Sequence, residues 1–218
     1  MPEIQDSPLW ADVRAVVRRE LEDGPGCHDY AHTLRVLRGT ELIAEKEKPA
    51  DLRAALFGAL LHDIARPEEL ASGGKLCHAA LGAGKAERIL RAAGCTDEAF
   101  IRHVADIVRT HRYRGGEAPA TLEARIVFDA DKLDSLGAFG VARAFYFAGR
   151  IGARIHNTAE AALGSESYSR EDSAYREYLV KLRYLPERML TETGLALARA
   201  RADFMKRFFD ELNAEADV

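Results

Sequence analysis

The stretch Asp51-Leu52-Arg53-Ala54-Ala55-Leu56-Phe57-Gly58-Ala59-Leu60-Leu61-His62-Asp63-Ile64 has a single charged side chain between its first residue and an adjacent histidine and aspartate. Its apolar spacing predicts a helix over 51–62, with Leu52, Ala55, Leu56, Ala59 and Leu60 on the buried side. Leu60, Leu61 and Ile64 bracket His62 and Asp63 and place both partly inside the protein. A buried carboxylate is costly unless it is paired, hydrogen-bonded or bound to a cation. The stretch therefore calls for partners elsewhere in the chain.

On either side of it the periodicity stays helical, and alternating β-branched runs are scarce, so the expected fold class is all-α. Ser7-Pro8 reads as a cap and a first-turn proline opening a helix to about Leu21, which Gly24-Pro25-Gly26 ends. A second helix is expected over 28–48. Pro67 and Ser72-Gly73-Gly74 mark a loop, and further helices are expected over 75–93, 97–111 and 121–134. Gly115-Gly116 with Pro119 separates the last two. Small and aromatic residues on several sides (Ala138, Phe139, Ala142, Phe145, Tyr146) predict a buried helix over 136–151. The polar stretch 156–173 is expected to be a mobile loop or lid, followed by helices over 174–185 and 188–213. With no internal repeat or composition shift, the expectation is one domain over 1–218, with a metal-binding core over 28–135 and a C-terminal helical part over 136–213.

Histidine and carboxylate concentrate in three places: His28-Asp29-Tyr30-Ala31-His32, His62-Asp63, and Asp129-Ala130-Asp131-Lys132-Leu133-Asp134. His78 and His111 lie between the second and the third. His28 and His32, four apart, are expected to share a helix face. Asp131 sits among Ile126, Val127, Phe128 and Leu133, so it raises the same question of partners as Asp63. A mixed nitrogen and oxygen set suits Mn²⁺, Mg²⁺, Co²⁺, Ni²⁺ or Fe. Cysteines are odd in number (Cys27, Cys77, Cys95) and lack zinc-finger or disulfide-framework spacing. Cys77 is expected to be a small buried residue.

The formal net charge of −4 argues against a nucleic-acid or anionic-membrane partner. The first 22 residues carry charge throughout, unlike a signal peptide, and no apolar run is long enough to span a bilayer. A cytoplasmic protein is the expectation.

Three segments, His32-Thr33-Leu34-Arg35-Val36, Ala59-Leu60-Leu61-His62-Asp63-Ile64 and Asp129-Ala130-Asp131-Lys132-Leu133-Asp134, resemble the successive motifs of the HD-domain phosphohydrolase superfamily. His28-Asp29-Tyr30-Ala31-His32, Cys77-His78-Ala79, Leu136–Arg143 and the C-terminal tail are similar to its small single-domain bacterial branch. The resemblance covers about residues 9 to 212. It implies an HD-domain helical bundle with C-terminal helices packed on it. It also implies one divalent metal ion held by His32, His62, Asp63 and Asp131, with His62, Asp63 and Asp131 as the catalytic set. His32 rather than His28 is taken as first ligand because the motif is a His followed by x-x-Arg-Val.

The implied activity is metal-dependent hydrolysis of a phosphate ester or anhydride of a small metabolite, a nucleotide being the favoured class. His28, Arg66, His78, His111 and Lys132 are the expected substrate-binding residues, with Arg109, Arg112, Arg143 and Lys181 as further cations to consider. His78 and His111 leave open a dinuclear metal site, as in a phosphodiesterase or oxygenase of the superfamily. A non-catalytic signalling module is the remaining alternative. Glu68 and Glu69 fall slightly later than the acid–base Glu of some nucleotide-hydrolysing branches, so that role is not carried over. Asp134 reads equally as a group behind the ligands or as a salt-bridge partner. Phe204, Phe208 and Phe209 are expected in the core or at a homodimer seam.

Overall fold

The computed structural model describes residues 2–22, 24, 27–112 and 117–216. Gly115-Gly116 and Pro25-Gly26, read above as breaks, lie outside them. Among the described residues every regular element is helical, in agreement with the all-α expectation. The chain divides into two compact units, 1–131 and 132–218.

The first unit holds α1 (Pro2–Gln5), α2 (Pro8–Leu21), α3 (Tyr30–Glu47), α4 (Leu52–Leu61), α5 (Arg66–Ala71), α6 (His78–Ala92) and α7 (Glu98–Thr110), with most of α8 (Leu122–Leu133). Local chemistry sets their starts. Ser7, Asp29, Asp51 and Asp97 accept from backbone N–H groups of the first turns of α2, α3, α4 and α7. Such caps each contribute about 1 kcal/mol.

Helix α4 is central rather than one-sided. Every residue from Ala54 to Leu61 is buried, whereas Leu52, expected inside, is only half-buried. The reason is composition: past Arg53 the helix has no polar face to give to water, so neighbours cover it all round. Trp10 of α2 and Phe100 of α7 meet Phe57 edge-on, at centroid distances of 5.1 and 5.4 Å. Gly58 lets α7 approach closely, since a Cβ there would lie 2.4 Å from Cγ2 of Ile107.

Two local expectations are corrected here. His28 precedes the Asp29 cap and so stands outside α3, not on a shared face with His32. The Pro67 segment is the helix α5 rather than a loop, with proline in its first turn, where no intrahelical N–H bond is lost.

The second unit contains α9 (Gly137–Arg150), α10 (Ala159–Leu163), α11 (Ala174–Val180), a 3₁₀ segment (Leu182–Arg188) and α12 (Glu192–Ala216). Phe209 of α12 is buried and stacks on Tyr178 at 4.5 Å. Phe208 is half-buried and Phe204 exposed. On α9 the small residues Gly140, Val141, Ala144 and Ala148 face inward, while Phe139 and Tyr146 are exposed at 57% and 52%. The helix is therefore amphipathic in size rather than buried all round. The stretch 156–173 is folded back on itself and not a bare loop. Asn157 Nδ2 donates to the Glu171 carbonyl (2.9 Å), Ser173 Oγ to Asn157 Oδ1 (2.6 Å), and Arg176 Nη2 to the Ser165 carbonyl (3.0 Å). The helix expected over 174–185 ends at Val180, and the 3₁₀ segment takes up Pro186, delaying α12 to Glu192.

Candidate metal centre

Each expected ligand is set by the end of an element. His32 lies in the first turn of α3, where its N–H donates to the Asp29 cap (2.8 Å). His62 follows the last turn of α4, and its Nδ1 donates back to the Ala59 carbonyl (2.8 Å). That bond leaves the Nε2 lone pair of His62 directed away from its own helix. Asp63 heads the turn into α5, its carbonyl accepting from Arg66 N–H (2.8 Å). Asp131 is carried by α8, whose Glu123 accepts from Asp51 N–H (2.9 Å) and so ties the start of α8 to the start of α4.

These side chains converge. His32 Nε2 lies 3.1 Å from His62 Nε2, 3.6 Å from Asp63 Oδ2 and 3.4 Å from Asp131 Oδ1. His62 Nε2 is 3.6 Å from Asp63 Oδ2 and 4.0 Å from Asp131 Oδ1. Neighbouring donors on a hard divalent ion bonded at about 2.1 Å stand roughly 3 Å apart. The spacing and the donor set, two imidazoles and two carboxylates, therefore fit a divalent cation.

A second group shares Asp63. Its other oxygen, Oδ1, is 3.2 Å from His78 Nε2 and 3.7 Å from His111 Nε2, and these two nitrogens are 3.1 Å apart. His111 Nδ1 donates to the Val108 carbonyl (2.6 Å). His28 Nδ1 contacts Asp63 Oδ2 at 2.8 Å, and its Nε2 is 3.0 Å from Arg66 Nη2. The structure thus gathers His28, His32, His62, Asp63, Arg66, His78, His111 and Asp131 in one place.

Of the other sequence candidates, Arg109, Arg143 and Lys181 pair elsewhere. Lys132 is buried one residue beyond Asp131. Arg109 is exposed and pairs with Asp106 and Glu117; Arg143 pairs with Asp134 (2.6 Å) and Lys181 with Glu177 (2.6 Å). Of the two readings of Asp134, the ion pair is present. Cys77 is exposed, against expectation, because it caps α6 from outside. Arg112, one of the cations considered, pairs with Glu69 (3.2 Å), and Glu69 was missed as part of this centre. Recognising Pro67 as the start of a helix would have placed Arg66 and Glu69 three apart on one face.

Burial decides the charge state. It lowers the His62 imidazole to about 3 and the His78 imidazole to about 4, although Asp63 pulls both upward. Burial would raise the Asp63 carboxyl, but the neighbouring His62 and His28 outweigh it and hold it well below the usual range. Near neutral pH His62 and His78 are thus neutral and Asp63 ionised, the protonation state a cation requires. In the metal-free protein, unfolding restores His62 and His78 to ordinary values near 6.5. Their contribution to stability is full above that pH and is lost on acidification toward about 4 and then about 3. At pH 5 the loss is roughly 2 kcal/mol for each. The Tm of chelator-treated protein should accordingly fall between pH 7.5 and 5; a flat Tm would contradict neutral, buried imidazoles.

The family model of the HD domain matches residues 29–136. The YpgQ protein of Bacillus subtilis is 32% identical over 213 residues, covering 93% of this chain and 91% of its own. A crystal structure of YpgQ in complex with ADP superposes with a TM-score of 0.71 at 29% identity, covering 100% of this chain and 97% of that one. A predicted HD superfamily hydrolase from an uncultured Thermotogales bacterium gives a TM-score of 0.67 at 30% identity, covering 94% and 91%. This chain belongs to the HD-domain family of metal-dependent phosphohydrolases.

Proposed function

We propose that the chain hydrolyses a phosphoanhydride of a nucleotide, using one divalent cation held by His32, His62, Asp63 and Asp131. The observation that carries this reading is the convergence of two imidazole nitrogens and two carboxylate oxygens within 4.0 Å of His32 or His62 Nε2. The nucleotide class is supported by the ADP complex of YpgQ. A bound cation would neutralise a phosphoryl oxygen and acidify a water for in-line attack.

The protein's own groups hold and orient. His28, donating to Asp63 Oδ2 and accepting from Arg66, keeps that carboxylate turned toward His32 and His62. The Nε of Arg66 is buried without an acceptor, which supports its serving an oxygen-rich ligand. Lys132 is assigned to the substrate. Its replacement by Met should lower turnover about tenfold or more with little change in metal affinity; equal loss of both would remove it from that role.

A second reading is favoured by one observation. With Nδ1 of His111 committed to a carbonyl and Nδ1 of His78 beside Glu69, their Nε2 lone pairs and Asp63 Oδ1 face one another within 3.7 Å. Three acceptors so close suit a second cation better than a phosphate. Metal content of protein purified without chelator decides: one equivalent per chain supports the mononuclear site, two the dinuclear. A screen of nucleoside mono-, di- and triphosphates with Mn²⁺, Mg²⁺, Co²⁺ and Ni²⁺ tests the activity. Absence of metal-dependent phosphate or pyrophosphate release from all of them would reject the nucleotide reading.

A further inference from the structure

The outward face of α9 is apolar where an exposed helix face is ordinarily charged. Ala138, Phe139, Ala142, Tyr146 and Gly149 are all exposed and recur at helical spacings of three and four residues. A Cβ built on Gly149 would meet no atom within 4 Å, so the face is open there. In the same unit α12 gives water Asp203, Lys206, Arg207 and Asp210.

The apolar surface continues round the helix. Phe147 meets Tyr168 edge-on at 5.9 Å, and Tyr168 is 75% exposed. That ring is held out by a strained backbone, with φ at +64°, which its N–H donating to Asp172 (2.6 Å) helps to fix. Asp172 is itself held by Arg176 (3.0 Å). Such a conformation costs about 1–3 kcal/mol and persists where the surroundings impose it.

A buried aromatic side chain covers about 150–250 Å². At their fractional exposures, Phe139, Tyr146, Phe147 and Tyr168 together leave roughly 400 Å² of aromatic surface in water. A specific interface takes about 600–1,000 Å² from each partner. Ala138, Ala142, Gly149 and the Arg150 stem bring the face toward the lower end of that range.

The face matches itself. Ala142 is a small residue flanked one turn away on either side by Phe139 and Tyr146. If a second copy is turned over about a two-fold axis between Ala142 and Arg143, Ala142 lets the two helix axes approach. Phe139 of each copy then lies beside Tyr146 of the other. The antiparallel arrangement sets opposite helix dipole ends together. The charges do not oppose it: Arg143 pairs with Asp134 (2.6 Å), and the two Arg150 side chains fall on the order of 20 Å apart along the axes. A lipid surface is the poorer match, because the face carries no lysine and the chain's net charge is −4.

We propose that α9 is the seam of a homodimer, two copies packing antiparallel through Phe139, Ala142 and Tyr146.

The test is sedimentation equilibrium of the full-length protein at about 50 µM, since an interface of this size is expected to associate in the micromolar range. Wild type should show the mass of two chains. Phe139→Glu and Ala142→Glu should each show the mass of one, with helical circular dichroism unchanged, because each would bury carboxylates without partners; association should weaken at least about 100-fold. Fluorescently labelled Phe139→Glu protein should be drawn back into a pair by Tyr146→Lys protein more strongly than by wild type, one ring pair staying native and the other becoming an ion pair. Wild type of single-chain mass, or a two-chain wild type that neither variant parts, would overturn the proposal. A labelled F139E chain that prefers wild type to Y146K would overturn the antiparallel register. Single-chain wild type that pellets with vesicles of phosphatidylcholine and phosphatidylglycerol would assign the face to lipid instead. Should Phe139→Glu lose its helical signal, Ala142→Glu, at an exposed position, decides.

Discussion

Asp63→Ala is expected to abolish both metal binding and hydrolysis while leaving the helical circular dichroism close to wild type. Asp63 reaches every histidine of the centre: Oδ2 faces His28, His32 and His62, and Oδ1 faces His78 and His111. Its removal takes away an anionic donor and leaves Asp131 as the one carboxylate of the proposed ligand set. Loss of an outer partner of a metal ligand costs about 10–100-fold in affinity or activity. Loss of this shared ligand should exceed that, with a fall in kcat/KM of at least about 10³-fold. Helical content should survive because the α4 core lies beside Asp63 and does not depend on its charge. Isothermal titration with Mn²⁺ and a phosphate-release assay check the two halves. Normal turnover by the variant would remove Asp63 from the site.

Phe57→Ala should give the largest loss of stability. The ring is fully buried in the middle of α4, gripped edge-on by Trp10 and Phe100, with the Arg53 guanidinium 4.0 Å above the Phe100 ring. Truncation of a buried phenylalanine costs about 3–5 kcal/mol, through lost burial and the cavity left behind. For a chain of this size that is a fall in Tm of roughly 6–20 °C. Because α4 ends at His62, the variant should also bind metal more weakly, though far less so than Asp63→Ala. Thermal unfolding followed at 222 nm measures the first effect; a change in Tm within 2 °C would show that α4 is not the centre of its unit.

Much of the candidate site was legible in the chain. His62-Asp63 after an apolar run, and Asp131 among Ile126, Val127 and Leu133, announce charges that need partners, since desolvation makes such residues expensive wherever they pack. The helices were legible for the same reason, their caps and apolar periodicity being local. The misses share a cause. Leu52 was expected inside and Phe139 in a core because periodicity marks a face but not how many neighbours cover it. His28 was expected on α3 because spacing alone does not reveal that Asp29 claims the cap.

By itself, the sequence determined the all-helical class, the ends of most helices and the residue types able to bind a hard cation, because these follow from backbone capping, hydrophobic periodicity and side-chain chemistry within a few residues. Only the tertiary structure decided that Asp63 faces two groups of histidines, that Arg66 and Glu69 stand behind His28 and His78, and that Arg109, Arg143 and Lys181 pair elsewhere. Those facts depend on which nitrogen or oxygen lies within about 3 Å of which. Contacts between residues tens of positions apart are set by how α3, α4, α6 and α7 pack, not by any spacing along the chain.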